Sequence, residues 1–184
     1  MQPTLYIIAG CNGAGKTTAS YSMLPGLLKC REFVNADEIA KGLSPFRPEQ
    51  MAILAGKLML QRIDTLMAAR ETFAVETTLA TKSYTVLIKK ARALGYCTVL
   101  IFFYLPSPEQ AIQRVAKRVI EGGHHIPSDV IRRRYRNGIE NLHSIYMPIV
   151  DTWVIIDNSN SKPRIIATNN ETFDHTTFEK IMNQ

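Results

Sequence analysis

The sequence predicts a three-layer α/β fold with a mainly parallel five-stranded sheet and a helical, arginine-bearing lid, and three observations carry that expectation. An octapeptide, Gly10-Cys11-Asn12-Gly13-Ala14-Gly15-Lys16-Thr17, fits G-x-x-x-x-G-K-[ST] between an apolar run and a helix-compatible one. Apolar strand-like runs alternate with helical spacing along the chain, an order that demands right-handed crossovers. Carboxylates recur where three of those runs stop, at Asp37-Glu38, Glu76 and Asp157, and in a parallel sheet those stops share one end.

Residues 5–9 are the first strand. Glycines at 10, 13 and 15 open backbone dihedrals closed to other residues, so that successive N–H groups can turn inward around an anion. A helix over 18–28 adds the unpaired donors and partial positive charge of its start, and Pro25-Gly26 breaks its pattern. Residues 32–35 form a short second strand ending at Ala36-Asp37-Glu38. Ser44-Pro45 and Pro48 interrupt the chain, after which 49–70 has helical spacing through Met51, Leu54, Leu58, Ile63 and Leu66. Residues 72–78 are the third strand, and 83–94 a helix closed by Gly95. The run 99–105 is so uniformly apolar that it is predicted as a central strand covered on both faces, ended by Pro106.

Ser107-Pro108-Glu109 opens a helix with a capping residue, proline at the first helical position and an early acid. That helix carries Arg114, Lys117 and Arg118 and stops at Gly122-Gly123. A further helix starts near Ser128-Asp129 and holds Arg132, Arg133, Arg134 and Arg136. Two arginine-lined helices joined by a glycine-rich connection read as a lid over about 114–141. Residues 152–157 are the fifth strand and 158–161 a polar turn; 163–167 is a candidate edge strand and 176–182 a short closing helix. No repeat, low-complexity tract or linker marks a second domain, so 1–184 is read as one domain.

The predicted nucleotide site takes in Gly10, Asn12, Gly13, Ala14, Gly15, Lys16, Thr17 and Thr18, with Lys16 reaching the β- and γ-phosphates and the Thr17 hydroxyl placed to hold Mg²⁺. Asn158, in the turn after the fifth strand, is expected to border the base. Phosphoryl transfer also needs an attacking oxygen aligned and relieved of its proton, and Asp37 is the candidate general base. Its plainer role is the N-cap of a helix beginning at Glu38. Glu76 is a candidate for a substrate hydroxyl or a Mg²⁺-bound water, with Thr77 or Thr78 as a further partner, against the alternative of an ordinary strand-end carboxylate. Arg118 and one or both of Arg133 and Arg134 are expected to reach phosphates when the lid shuts. The arginines at 132–136 spread around most of a helix, so some are plain solvated charges. Adjacent His124 and His125, with no third ligand nearby, make a poor metal site.

With 184 residues, 46% of them hydrophobic, the chain can bury one core. Lys and Arg number 22 against 16 Asp and Glu, and the resulting +6 suits anionic partners, of which a polyphosphate accounts for much. Cys11, Cys30 and Cys97 are odd in number and widely spaced, as in a reducing compartment, and Cys11 reads as an inert small residue because the loop uses its backbone there. No basic segment precedes 5–9 and no apolar span reaches membrane length, so a cytoplasmic protein is expected. Neither a membrane nor nucleic acid is an expected partner; aromatic interleaving is thin, with Tyr135 the main candidate. Two readings compete with a small-molecule kinase. One is a nucleic-acid end kinase with its basic face at 132–136; the other is a protein in which ATP orders the lid for a partner.

The octapeptide, Asn35-Ala36-Asp37, Val75-Glu76-Thr77-Thr78-Leu79, and Gly122-Gly123-His124-His125-Ile126-Pro127 with Arg133-Arg134-Tyr135 and Asn141-Leu142 together resemble the zeta-toxin family of P-loop kinases. The likeness is closer to the stand-alone bacterial branch described as predicted ATPases or zeta-like proteins, and it runs from Leu5 to about 157–159. The resemblance implies a P-loop NTPase fold and ATP and Mg²⁺ served by Lys16 and Thr17. It also implies Asp37 at the base position and Glu76 and Thr78 at substrate-contacting positions. It implies further a small hydroxyl acceptor such as UDP-N-acetylglucosamine and an antitoxin as candidate partner. Arg118 and Arg133 or Arg134 correspond only loosely to the family's lid arginines, because the spacing differs. Two residues beyond the threonine, where the family has an arginine, this chain has Ala80, then Thr81 and Lys82; Lys82 is a candidate replacement for that charge.

Overall fold

In the computed structural model, which describes residues 2–123 and 125–184, the first half of the chain forms β1 (Thr4–Ala9), α1 (Lys16–Gly26), β2 (Glu32–Val34), α2 (Ala36–Leu43), α3 (Ala52–Ala68), β3 (Phe73–Thr77) and α4 (Tyr84–Ala93). The second half forms β4 (Cys97–Tyr104), α5 (Pro108–Ile120), α6 (Ser128–Asn141), β5 (Thr152–Asp157), β6 (Arg164–Thr168) and α7 (His175–Met182). The strands make one sheet in the order β2-β3-β1-β4-β5-β6. The first five are parallel, as the alternation of strands and helices predicts. The sheet has six strands rather than the expected five: β6 joins it antiparallel to β5. Residues 158–163 hold no helix to carry the chain back over the sheet, so the next strand returns alongside β5 in the opposite direction.

β1 and β4 lie at the centre, and both carry near-continuous buried apolar runs, which strands covered on both faces require. The helix boundaries follow local chemistry. α1 begins at Lys16, two residues before the expected start, because Gly15 takes the left-handed conformation (φ +81°) that turns the loop directly into a helix. It runs through Pro25, which has no N–H to offer the Tyr21 carbonyl, and ends one residue later at Gly26. α3 is preceded by a 3₁₀ turn over Pro48–Met51. Gly95 (φ +80°) closes α4 as expected, with the Tyr96 N–H returning to the Ala91 carbonyl. The Ser107 side chain accepts from the Gln110 N–H at 3.2 Å, so the predicted cap of α5 is present. α6 runs on into an unpredicted π-helical turn, Leu142–Tyr146, and a 3₁₀ turn, Met147–Ile149. Among the described residues no helix is long and apolar enough to cross a membrane.

Candidate active site

The β1–α1 loop emerges where the sheet order reverses, β3 on one side of β1 and β4 on the other. Gly10 is held there against a backbone oxygen: a Cβ at that position would lie 2.4 Å from the Phe103 carbonyl. Lys16, only 6% exposed, donates from Nζ to the Cys11 carbonyl at 3.0 Å and lies 3.5 Å from Glu76 Oε1. The Thr17 hydroxyl donates to Glu76 Oε2 at 2.8 Å. The parallel register explains the meeting. Ile8 pairs with Glu76 and Ala9 with Thr77, so the β3 carboxylate stands beside the start of the loop. Burial pushes the Cys11 thiol up to about 11, against the pull of the Lys16 and Arg114 charges, and the neutral thiol fills the loop as the inert residue expected.

Asp37 is exposed in the first turn of α2. It is not the cap of that helix. Asn35 is: its Oδ1 accepts from the Asp37 N–H at 2.9 Å and the Glu38 N–H at 3.4 Å, which leaves the Asp37 carboxylate free of capping. The Asp37 charge reaches Tyr84, whose phenol donates to the Glu76 carbonyl at 3.2 Å. Burial is the main cause of the Tyr84 phenol being pushed up to about 12, and the charges on Glu76 and Asp37 add to it. The hydroxyls of Thr77 and Thr78 accept from the N–H groups of Leu79 and Ala80, which shapes the turn; the Thr77 hydroxyl is also engaged with the Tyr84 phenol. Lys82 is exposed just before α4.

The predicted lid arginines separate. Arg134 donates to Asn12 Oδ1 in the phosphate loop at 3.1 Å, Arg133 is exposed, and Arg118 is exposed with its side chain laid over Gly123. Arg132 pairs with Glu109 at 3.4 Å. α6 itself is seated in the molecule rather than raised above it: Ile131, Tyr135 and Ile139 are buried, and the Tyr135 hydroxyl donates to the Leu105 carbonyl at 2.9 Å. Within the expected 114–141 lid, residues 116–118 and 120 at the end of α5 are exposed, whereas α6 is packed along one face and exposed at 132, 133 and 136 on the other. His124 lies outside the described residues; among those described, no group of three or more His, Cys, Asp or Glu is disposed to hold a metal.

Asn158 turns its amide onto the phosphate loop, donating to the Ala14 carbonyl at 2.7 Å. Asp157 is committed to structure. Burial alone raises its carboxyl, but hydrogen bonds from Ser159 and the Arg164 guanidinium 3.0 Å away outweigh it and hold the group below the usual carboxylate range. Thr18 is exposed on α1. Four residues at the site are given no role of their own there by the sequence, although Arg114 counts among the lid residues and Asn35 stands in the motif with Asp37. Gln110 and Arg114 of α5 both donate to the Ser159 carbonyl, at 2.9 and 2.8 Å, and tie that helix to the loop after β5. Tyr84 carries no local signal. Asn35 does carry one: an asparagine ahead of a helix with two acids in its first turn is a capping pattern.

The sequence model of the Zeta toxin family matches residues 1–171. An uncharacterized protein of Haemophilus influenzae is 27% identical over 135 residues, which cover 73% of this chain and 94% of that protein. A chain of the AvrRxo1-ORF1:AvrRxo1-ORF2 structure with sulphate ions matches at 19% identity with a TM-score of 0.80, over 98% of this chain and 63% of that one. This chain thus spans less than two thirds of that neighbour's length. The structure reported for the PezAT chromosomal toxin-antitoxin system of Streptococcus pneumoniae matches at 14% identity and a TM-score of 0.73, over 99% of this chain and 84% of that one. Shikimate kinase from Acinetobacter baumannii matches at 18% identity and a TM-score of 0.52, over 88% and 86%. At such identities the structural likenesses establish the fold, while the family match runs almost the length of the sequence. The chain belongs to the Zeta toxin family.

Proposed function

We propose that this protein transfers the γ-phosphoryl group of ATP, with Mg²⁺, to a hydroxyl of a small metabolite, and that UDP-N-acetylglucosamine is the first acceptor to assay. One observation carries the reading: the carboxylate of Glu76 touches both the Lys16 ammonium and the Thr17 hydroxyl, while Asp37 projects from the helix that Asn35 caps beside them. The Thr17 hydroxyl and the Glu76 carboxylate are adjacent hard oxygens, which suits Mg²⁺ bound by one carboxylate and the phosphates themselves. When bound, that ion neutralises charge on the β- and γ-phosphates.

The chain's own groups then have distinct work. Lys16 leaves the Cys11 carbonyl for the phosphate oxygens, and the backbone N–H groups of the loop surround them. Asp37 accepts the proton of the acceptor hydroxyl as its oxygen bonds to the γ-phosphorus and the bond from that phosphorus to the bridging oxygen of the departing ADP breaks. Thr78 orients the acceptor through its hydroxyl proton, and Arg134, which contacts the phosphate loop at Asn12, is the lid arginine assigned to the phosphates. An antitoxin protein is the partner this reading adds, on the strength of the family and of the PezAT likeness.

The test is a transfer screen with labelled ATP over sugar nucleotides, nucleosides and oligonucleotides, repeated with Asp37→Asn. A labelled small-molecule product is expected, with Asp37→Asn keeping nucleotide affinity and losing about 10²–10⁴-fold in transfer. Wild-type transfer by that variant would remove Asp37 from the base role, and a labelled oligonucleotide would replace the small metabolite with a nucleic-acid end.

A further inference from the structure

We propose that Asn35 is a positioning residue that keeps the Glu76 carboxylate and the Asp37 turn in register with the phosphate loop through the two ends of one amide. This inference rests on the kinase reading above. Val34 pairs with Val75, so the next residue of each strand end, Asn35 and Glu76, stand side by side. Asn35 is 6% exposed. Its Nδ2 donates to Glu76 Oε2 at 2.9 Å, the same oxygen that takes the Thr17 hydroxyl. Its Oδ1 accepts the Asp37 and Glu38 N–H groups and starts α2. The amide can face only one way, since the reverse would set N–H against N–H and oxygen against carboxylate.

Capping alone does not account for asparagine here. Serine, threonine and aspartate cap a helix about as well. Among these only asparagine carries its donor on an atom separate from the capping oxygen: aspartate has no donor and would set a second negative charge against Glu76, and the single hydroxyl of serine or threonine would have to cap the helix and reach Glu76 from one atom. With Oε2 fixed by two donors, Oε1 is left toward Lys16. Without the Asn35 donor, the carboxylate is free to swing onto the ammonium that the phosphates need.

The decisive variant is Asn35→Ser, which retains the cap and removes the Glu76 contact, compared with Asn35→Ala, Glu76→Gln and the double variant Asn35→Ser/Glu76→Gln. Melting temperature, kcat, KM for ATP, and the Mg²⁺ dependence of binding a non-hydrolysable ATP analogue by calorimetry are measured for each. Asn35→Ser is expected to melt close to wild type and to lose about 10–100-fold in kcat, with little change in KM for ATP, the size of loss that a small misplacement of a catalytic group produces. On the Glu76→Gln background it should add nothing, in kcat or in Mg²⁺ dependence. Wild-type kcat and Mg²⁺ dependence in Asn35→Ser, a fall in melting temperature equal to that of Asn35→Ala, or additive losses in the double variant would each overturn the role. Should the wild-type protein transfer phosphate to no acceptor, the kinase reading fails, and the calorimetric coupling between Asn35 and Glu76 still decides this one.

Discussion

Lys16 is almost completely buried with one carbonyl and one carboxylate facing it, and Glu76 in turn meets three donors, Lys16 and Thr17 from the start of α1 and Asn35 from the cap of α2. Such a cluster is costly to desolvate and costly to break in part, which is a property of sites more than of cores. Asp157 shows the opposite use of a strand-end carboxylate. Its hydrogen bonds from Ser159 and its pairing with Arg164 join β5, β6 and the loop between them. Because its folded-state value is depressed, its contribution is complete above about pH 4, the ordinary value for an unfolded aspartate, and is lost as the pH falls through the lower folded value. Asp157→Asn should therefore cost about 1–2 kcal/mol at pH 7 and progressively less below pH 4, read from urea denaturation across that range. The sequence places Glu76 and Asp157 alike, each a carboxylate where a strand stops. What separates them is the residue opposite, Thr17 and Lys16 for one and Arg164 for the other, and only the strand register and the direction of β6 supply that. The cap at Asn35 is legible locally, whereas its bond to Glu76 depends on the pairing of β2 with β3.

Among the elements, α6 does the most that its sequence does not announce. Arg134, Gly138 and Asn141 are spaced four and three apart and so share one face. Arg134 meets the phosphate loop at Asn12, Gly138 lies against the Thr78 carbonyl, and Asn141 donates to the Leu79 carbonyl at 2.7 Å. Leu79 is fully buried and has φ +56°, a left-handed conformation that costs a leucine about 1 kcal/mol and is held by this contact. One helix face thus braces the loop for the nucleotide and the turn for the acceptor. A Cβ at Gly138 would come within 2.6 Å of the Thr78 oxygen, and backbone cannot step aside as a flexible side chain can. Gly138→Ala should therefore destabilise by about 1–2 kcal/mol despite its better helix propensity. It should also raise KM for the acceptor severalfold while leaving KM for ATP unchanged. Denaturation and two-substrate kinetics check both halves, and a stabilised variant would show that the helix is free to shift. The arginines and the glycine-rich connection are what the expectation of a lid rests on. The seating of α6 is not readable, because the packing parts of Tyr135 and Asn141 show only once the carbonyls of Leu105 and Leu79 stand beside them.

At the scale of the whole molecule, the ends of β1, β2 and β3 deliver three polar segments to one place, and a single anion of high charge would be shared by all of them. Binding it should stabilise the entire fold, since Lys16, Thr17 and Glu76 anchor α1 to β3, and a ligand of the native state alone contributes RT ln(1 + [L]/Kd). At a hundredfold excess over Kd that is about 2.7 kcal/mol. For a domain of this size each kcal/mol moves the melting temperature by about 2–4 °C, so ATP with Mg²⁺ should raise it by about 5–10 °C. Lys16→Ala separates the ligand's contribution from the fold's own. Glu76 keeps its bonds to Thr17 and Asn35 in that variant but loses its cation, so the unliganded protein should melt below the wild-type temperature, and the nucleotide shift, taken from the variant's own baseline, should fall below about 2 °C. Melting curves with ATP, with ATP and Mg²⁺, and with an excess of chelator decide it. A full shift in Lys16→Ala would mean that the nucleotide is held elsewhere, and an equal shift with and without Mg²⁺ would detach the ion from the Thr17–Glu76 oxygens.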